Sequence, residues 1–279
     1  MPLPGPKNWG SLARKGARSM QLPDRAPTHD YDRKDAPPAW EPEDWQSEGP
    51  AASGAPSPAL PPPVPERPRR KAPRPVADEL VREVGALAAG KLEGRLVEAA
   101  SAFERDRPLD AMRLLRPLLR DAPGVPSVQE LAGLTLYRLG KWAEAARHLE
   151  AFREATGSVE QDPVLADCYR ALRRYAKVDA LWEEMRETSP EPALMAEGRI
   201  VAAGALADRG DVKGAIRLLE RGPLEPRRVV QPHHLRLWYA LADLHERAGD
   251  APRARELFAR VVEADASLAD AVDRLHALG

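Results

Sequence analysis

The 279-residue chain has a single cysteine, Cys168, and only 5% aromatic residues. One cysteine excludes a disulfide framework, a CxxC redox pair and any multi-cysteine zinc site. Isoleucine occurs just twice, at Ile200 and Ile216. So few β-branched and aromatic residues argue against a sheet-built protein and for a mostly helical one. Charge is also nearly absent as a net quantity, with 42 Lys and Arg against 43 Asp and Glu. A strongly basic nucleic-acid binder or an acidic solvating protein is thereby excluded for the chain as a whole. No apolar run approaches the ~20 residues that span a bilayer. Lys7, Arg14, Lys15 and Arg18 interrupt any apolar signal core at the start. These absences predict a soluble, cytoplasmic protein.

Proline is plentiful but uneven. Of 29 prolines, 18 precede Val76. That region has sparse apolar residues with no period of 2 or 3.6, and runs such as Pro61-Pro62-Pro63 favour polyproline II. Too little apolar surface is available to offset the entropy of ordering, so residues 1–77 are expected to form a disordered Pro/Arg-rich tail. Arginine outnumbers lysine 34 to 8, and alanine, proline and glycine abound, a bacterial-looking composition typical of GC-rich coding.

From Asp78 the pattern changes to amphipathic segments of about a dozen residues, punctuated by Gly, Pro or Asp. Self-comparison exposes a repeat near 34 residues, anchored on Ala111, Ala145, Val178, Ala215 and Ala254. Four residues after each anchor stands a large apolar residue: Leu115, Leu149, Trp182, Leu219 and Phe258. Twelve before stands a small one: Ala99, Gly133, Ala166, Ala203 and Ala242. Five before, at an expected turn, stand Asp106, Gly140, Arg173, Gly210 and Gly249. Twelve after come Pro123, Gly157, Pro190, Arg227 and Ala266. A small residue lets two helices approach, the anchor alanine faces it, and the large residue one turn on fills the space beside them.

These columns resemble the tetratricopeptide repeat (TPR) family, whose pattern is Trp-x2-Leu-Gly-x2-Tyr, then Ala-x3-Phe, then Pro. The last repeat carries Trp238, Leu241, Ala242, Ala254 and Phe258, with His245 in place of the tyrosine. The third carries Leu165, Ala166, Tyr169, Trp182 and Pro190, with Val178 in place of the alanine. The resemblance covers about residues 92 to 266. It implies an all-α solenoid of five helix pairs over 78–279, with repeats starting near 92, 126, 159, 196 and 235. A leading helix is predicted over Asp78 to Ala89 and a capping helix over Ser267 to Leu278. Extra length in the later repeats is placed at Gly222 to Gln231, and Pro117 is expected to kink its helix.

Catalytic and cofactor motifs are missing: there is no Walker or dinucleotide glycine pattern and no HExxH. His233, His234 and His245 are the nearest approach to a metal set, but no further ligand completes it. The expectation is a non-enzyme with no cofactor and no metal. What remains is a surface. In TPR proteins the first helix of each pair lines a concave groove that holds an extended peptide or a helix. By position, the groove here is predicted to use Leu96, Ala100, Glu130, Leu134, Arg138, Asp167, Arg170, Ile200, Tyr239 and Asp243. The wider strip adds Glu93, Glu104, Glu160, Glu197, Asp208, Glu246, Arg236 and Arg247, nine acids against four bases.

The tail supplies a second set of expected contacts, Trp9, Arg14, Trp40, Trp45, Arg69 and Arg70. Tryptophan is a frequent anchor of short interaction motifs, and three of the six lie before residue 46. The functional expectation is a protein-binding adaptor. The alternative is an RNA- or ribosome-associated factor using the basic tail on phosphates, but 12 bases against 9 acids before residue 78 make a weak electrostatic footprint. Docking of the basic stretch 67–74 onto the chain's own groove is a further expectation, against the plainer view that the tail is a spacer.

Overall fold

The computed structural model describes residues 74 to 279 except 189, 190 and 227. The tail contacts, the basic stretch 67–73, Pro190 and Arg227 lie outside the described residues. Within them run α1 (Arg74–Val84), α2 (Ala86–Glu104), α3 (Pro108–Asp121), α4 (Pro126–Arg138), α5 (Trp142–Thr156) and α6 (Asp162–Ala171). They continue as α7 (Tyr175–Thr188), α8 (Pro192–Asp208), α9 (Val212–Glu220), α10 (Pro232–Arg247), α11 (Ala251–Ala264) and α12 (Ala271–Ala277). No strand occurs among the described residues. Helices pair as α2 with α3, α4 with α5, α6 with α7, α8 with α9 and α10 with α11, and each pair packs on the next.

One turn is used five times. Asp106, Gly140, Arg173, Gly210 and Gly249 all have left-handed φ, between 56° and 92°. The N–H that follows each of them donates to a carbonyl five residues back: Arg107 to Ala102, Lys141 to Leu136, Arg174 to Tyr169, Asp211 to Leu206 and Asp250 to His245, at 2.8–3.0 Å. This is the Schellman arrangement, which satisfies carbonyls that the helix end leaves without partners. Asparagine and aspartate tolerate this conformation, so Asp106 is at ease there, whereas Arg173 carries strain of about 1–2 kcal/mol relative to glycine. In the last two repeats an aspartate then starts the second helix. Asp211 accepts from Gly214 N–H at 2.7 Å and Asp250 from Arg253 N–H at 3.3 Å.

All three packing columns are buried in all five repeats. The second repeat shows why its small position is glycine. A Cβ on Gly133 would lie 2.6 Å from Leu149 Cδ2 and 3.3 Å from the Ala145 carbonyl, the large and anchor residues of the same pair. The core runs lengthwise as three joined clusters. One is built around Leu80, Leu96 and Leu115, the next around Leu136, Trp182 and Met185, and the last around Leu237, Leu241 and Phe258.

The ends differ from the sequence expectation. The leading helix does not run from Asp78 to Ala89, because Gly85 takes φ 78° and divides it. Leu80 stays on α1 in the core, while Leu87 falls on α2 and is fully exposed. α1 instead serves α4: Glu79 accepts from Ser127 N–H at 3.2 Å and from its hydroxyl at 2.7 Å, and Glu83 accepts from Gly124 N–H at 3.1 Å. These carboxylates meet the N-terminal end of a helix, where donors lack partners and negative charge is favoured. The terminal helix begins at Ala271 rather than Ser267, since Asp265 accepts from both Ser267 N–H and Ser267 Oγ and holds the chain in a turn. α3 is continuous through Pro117. The segment between α9 and α10 is irregular, pinned where Trp238 Nε1 donates to the Leu224 carbonyl at 2.8 Å.

Candidate partner-binding face

The first helices of the pairs, α2, α4, α6, α8 and α10, carry a polar ladder that crosses from repeat to repeat. It begins in the last turn of α4. Arg138 Nη1 donates to the Phe103 carbonyl at 2.6 Å, its guanidinium lies 3.6 Å over the Phe103 ring, and Asp106 is 3.5 Å away. A cation is thus held at the C-terminal end of α2, where the helix dipole favours it. Arg247 Nη2 makes the equivalent, longer contact from α10 to the Ala207 carbonyl of α8, at 3.4 Å.

The middle rungs are buried. Asp167 accepts from the Tyr137 hydroxyl of α4 and from Arg170 Nε at 2.8 Å. Arg170 Nη1 continues to Asp208 Oδ2 of α8 at 3.0 Å. Asp167 is 0% and Arg170 2% exposed at the side chain, so one connected network joins three repeats and meets water only at Asp208, 12% exposed. Further along, Arg236 of α10 pairs with Glu197 of α8. Arg274 of α12 reaches back to Asp243 Oδ1 at 2.9 Å and to Glu246, and sits 4.9 Å from the Phe258 ring centre. Tyr239 donates its hydroxyl to Asp270.

The protonation states follow from these contacts. Burial, reinforced by the Asp167 charge, holds the Tyr137 phenol well above its usual range, so it remains a neutral donor. Burial alone would lower the Arg170 guanidinium, but Asp167 and Asp208 outweigh it and raise its pKa. Burial raises the Asp208 carboxyl despite the opposing pull of Arg170. Arg274 likewise is raised by Asp243 and Glu246 against the effect of burial. Buried charges of this kind add little net stability relative to apolar packing, but each is costly to leave unpaired. The ladder therefore fixes how one repeat is set against the next.

Of the ten groove positions expected from sequence, Ala100, Glu130, Leu134 and Arg138 are partly exposed. Leu96, Asp167, Arg170, Ile200, Tyr239 and Asp243 are buried. Glu130 accepts from Gln161 Nε2 at the start of the neighbouring helix. Ladder residues that escaped the sequence reading include Tyr137 and Arg274. The signal for both was present, because inter-repeat polar pairs recur at a spacing close to one repeat. Tyr137–Asp167 and Asp179–Arg209 are 30 residues apart, and Asp243–Arg274, Tyr239–Asp270 and Arg153–Glu184 are 31 apart.

The three histidines do not converge: His233 and His234 have ring centres 4.2 Å apart, but His245 is remote from them. His234 Nδ1 accepts from the Gln231 N–H at 2.9 Å, and His245 Nδ1 lies 3.0 Å from Asp250 Oδ2, one at each end of α10. Among the described residues no group of three His, Cys, Asp or Glu side chains is placed to hold a metal ion. Cys168 is a buried core residue of α6. Among the described residues no helix is long and apolar enough to cross a membrane.

Five helix pairs in a common register, a shared Schellman turn and a capping helix define an α-solenoid of the TPR type. The solved structure of a thermophilic TPR protein from Thermus thermophilus is similar, with a TM-score of 0.52 and 17% sequence identity. The match covers 67% of this chain and 98% of that one. No protein-family model and no curated protein matches the sequence.

Proposed function

We infer that the chain is a non-enzymatic adaptor that holds a peptide or helical segment of a partner protein against the first helices of its repeats. TPR-type folds generally mediate protein–protein interaction. The observation that carries the reading is the contrast along that face. From α6 onward the equivalent positions are buried, Val164 and Asp167 on α6, Val201 and Gly204 on α8 and Ala240 and Asp243 on α10, whereas α2 and α4 leave Val97, Ala100, Leu131 and Leu134 partly open. A rigid row with an open apolar end suits docking of an apolar anchor, with Glu93, Glu104, Glu130 and Arg138 around it to set orientation. In this reading Trp9, Arg14, Trp40, Trp45, Arg69 and Arg70 of the tail act as auxiliary contacts.

The test is affinity capture with the full-length chain and with Leu134→Arg, each with and without nuclease, after circular dichroism has shown that the variant is folded. The adaptor reading expects a specific protein that survives nuclease and is lost with Leu134→Arg. Capture abolished by nuclease and unaffected at Leu134 would replace it with the RNA-associated reading, in which the basic clusters of the tail contact phosphates.

A further inference from the structure

The open end of this face has a chemistry that matches one segment of the chain itself. Val97 and Ala100 on α2 are three residues apart and stand at the same register as Leu131 and Leu134 on α4, so the four share one surface. All four are only partly buried. The rim is acidic: Glu93, Glu104 and Glu160 form no ion pair with another described residue, and Arg138, the cation of the α4 face, is already held by Phe103 and Asp106. The surface therefore asks for a short apolar anchor flanked by several cations.

Residues 7 to 18 have that composition. Lys7, Arg14, Lys15 and Arg18 are its only charged residues, and no acid occurs before Asp24. Trp9, Leu12 and Ala13 are spaced i, i+3 and i+4, which would bring them to one side if the segment coiled into a helical turn on docking. No other segment before α1 combines an apolar anchor with four positive charges and no negative one: Trp40 and Trp45 lie among Glu41, Glu43 and Asp44, and the basic residues 67 to 74 contain no large apolar side chain. The 55 residues from 19 to 73 give ample reach. Even a flexible glycine-rich chain of that length would have an end-to-end distance of about 40 Å and a proline-rich one extends further, and tethering sets an effective concentration of the order of millimolar.

We propose that residues 7–18 dock in cis on the α2–α4 end of the solenoid face, with Trp9 and Leu12 on Val97, Ala100, Leu131 and Leu134 and the cations toward Glu93, Glu104 and Glu160. This rests on the same face as the adaptor reading and makes the chain its own competitor: a partner gains access by displacing its first residues. Burial of the indole and leucine supplies most of the attraction. The exposed charges orient the segment and make its docking sensitive to salt, because pairs at the surface are weak and screened within about 10 Å at ~0.1 M.

Photocrosslinking in the full-length chain, with a benzophenone amino acid in place of Leu12, tests this without any partner present. The expected result is intramolecular crosslinks to residues 93–104 and 127–138. Their yield should fall by about threefold or more between ~0.05 M and ~0.5 M salt, and equally in the rim variant Glu93→Lys with Glu104→Lys. Crosslinks spread evenly over the helices, crosslinks only between molecules, or a yield indifferent to both salt and charge reversal would overturn the proposal. Partner capture by the same benzophenone-carrying chain separates the two readings. A partner captured by a chain that gives no intramolecular crosslinks leaves the adaptor standing and removes only the cis contact.

Discussion

At Gly133 the distance between two helices is set by the absence of one methyl group. The 2.6 Å approach to Leu149 Cδ2 leaves no space for a Cβ unless Leu149 moves, and the Ala145 carbonyl behind it belongs to backbone. Gly133→Leu is therefore expected to destabilise the protein by about 1–3 kcal/mol or more, since overpacking a filled site forces side chains off their rotamers. Urea unfolding followed by circular dichroism reads the effect, and an unchanged midpoint would mean that α4 and α5 do not meet there. Gly198 has the same character but across repeats, because a Cβ there would lie 2.7 Å from Met185 Cε on α7. The first contact is visible in the sequence as a column that recurs in every repeat. The second is not, because Gly198 lies outside the columns and its reason is a neighbour from another repeat.

Among the elements, α6 is held in an unusual way. Its first residue, Asp162, is buried and faces Arg153 of α5, with Nε 3.0 Å from Oδ1, while the same guanidinium also pairs with Glu184 of α7. One cation thus joins three successive helices. Burial outweighs the attraction of Arg153 and raises the Asp162 carboxyl from 3.8 to about 6. The native state then holds this proton more tightly than the unfolded chain does, so Asp162 favours folding most at low pH. Its contribution declines as pH rises from 3.8 to about 6 and is constant above that. Asp162→Asn is expected to remove this decline. Urea midpoints of both proteins between about pH 4 and pH 7 check it, because the difference between them cancels the opposite trend of the ordinary carboxylates. Parallel curves would show that Asp162 titrates normally.

For the whole molecule, each pair of a solenoid relies on its neighbours, and the last pair needs a cover. α12 is short, with Ala271 its one fully buried side chain, and it covers α10 and α11 partly through Arg274, which bridges Asp243 and Glu246 and lies against Phe258. Removing a cation that neutralises a buried carboxylate costs roughly 3 kcal/mol or more. Because that loss falls at one end, Arg274→Ala is expected to speed amide exchange in α10, α11 and α12 while α4, α5 and α6 keep their protection. Hydrogen exchange resolved by peptide distinguishes this from an equal rise in every helix, which would mean that the solenoid opens as a single unit.

The sequence by itself determined the repeat. Its small, anchor, large and turn columns are local properties of each helix pair, so a period near 34 residues and the type of residue at four positions were enough to define the register. Even the left-handed turn was legible, with Asp106 and Arg173 standing where three other repeats have glycine. Only tertiary structure decided which charges meet. A count of signs along the face made it strongly acidic, but Arg274 enters from the capping helix and Asp106 from a turn, and each pairing joins residues about one repeat apart. The ends were undetermined for a related reason. Gly85, Gly90 and Gly94 have equal freedom locally, yet α2 runs straight through the last two and breaks only at Gly85. The break lets Leu80 of α1 and Leu92 of α2 reach the same core, and a requirement shared by two helices is not written in the local preferences of either.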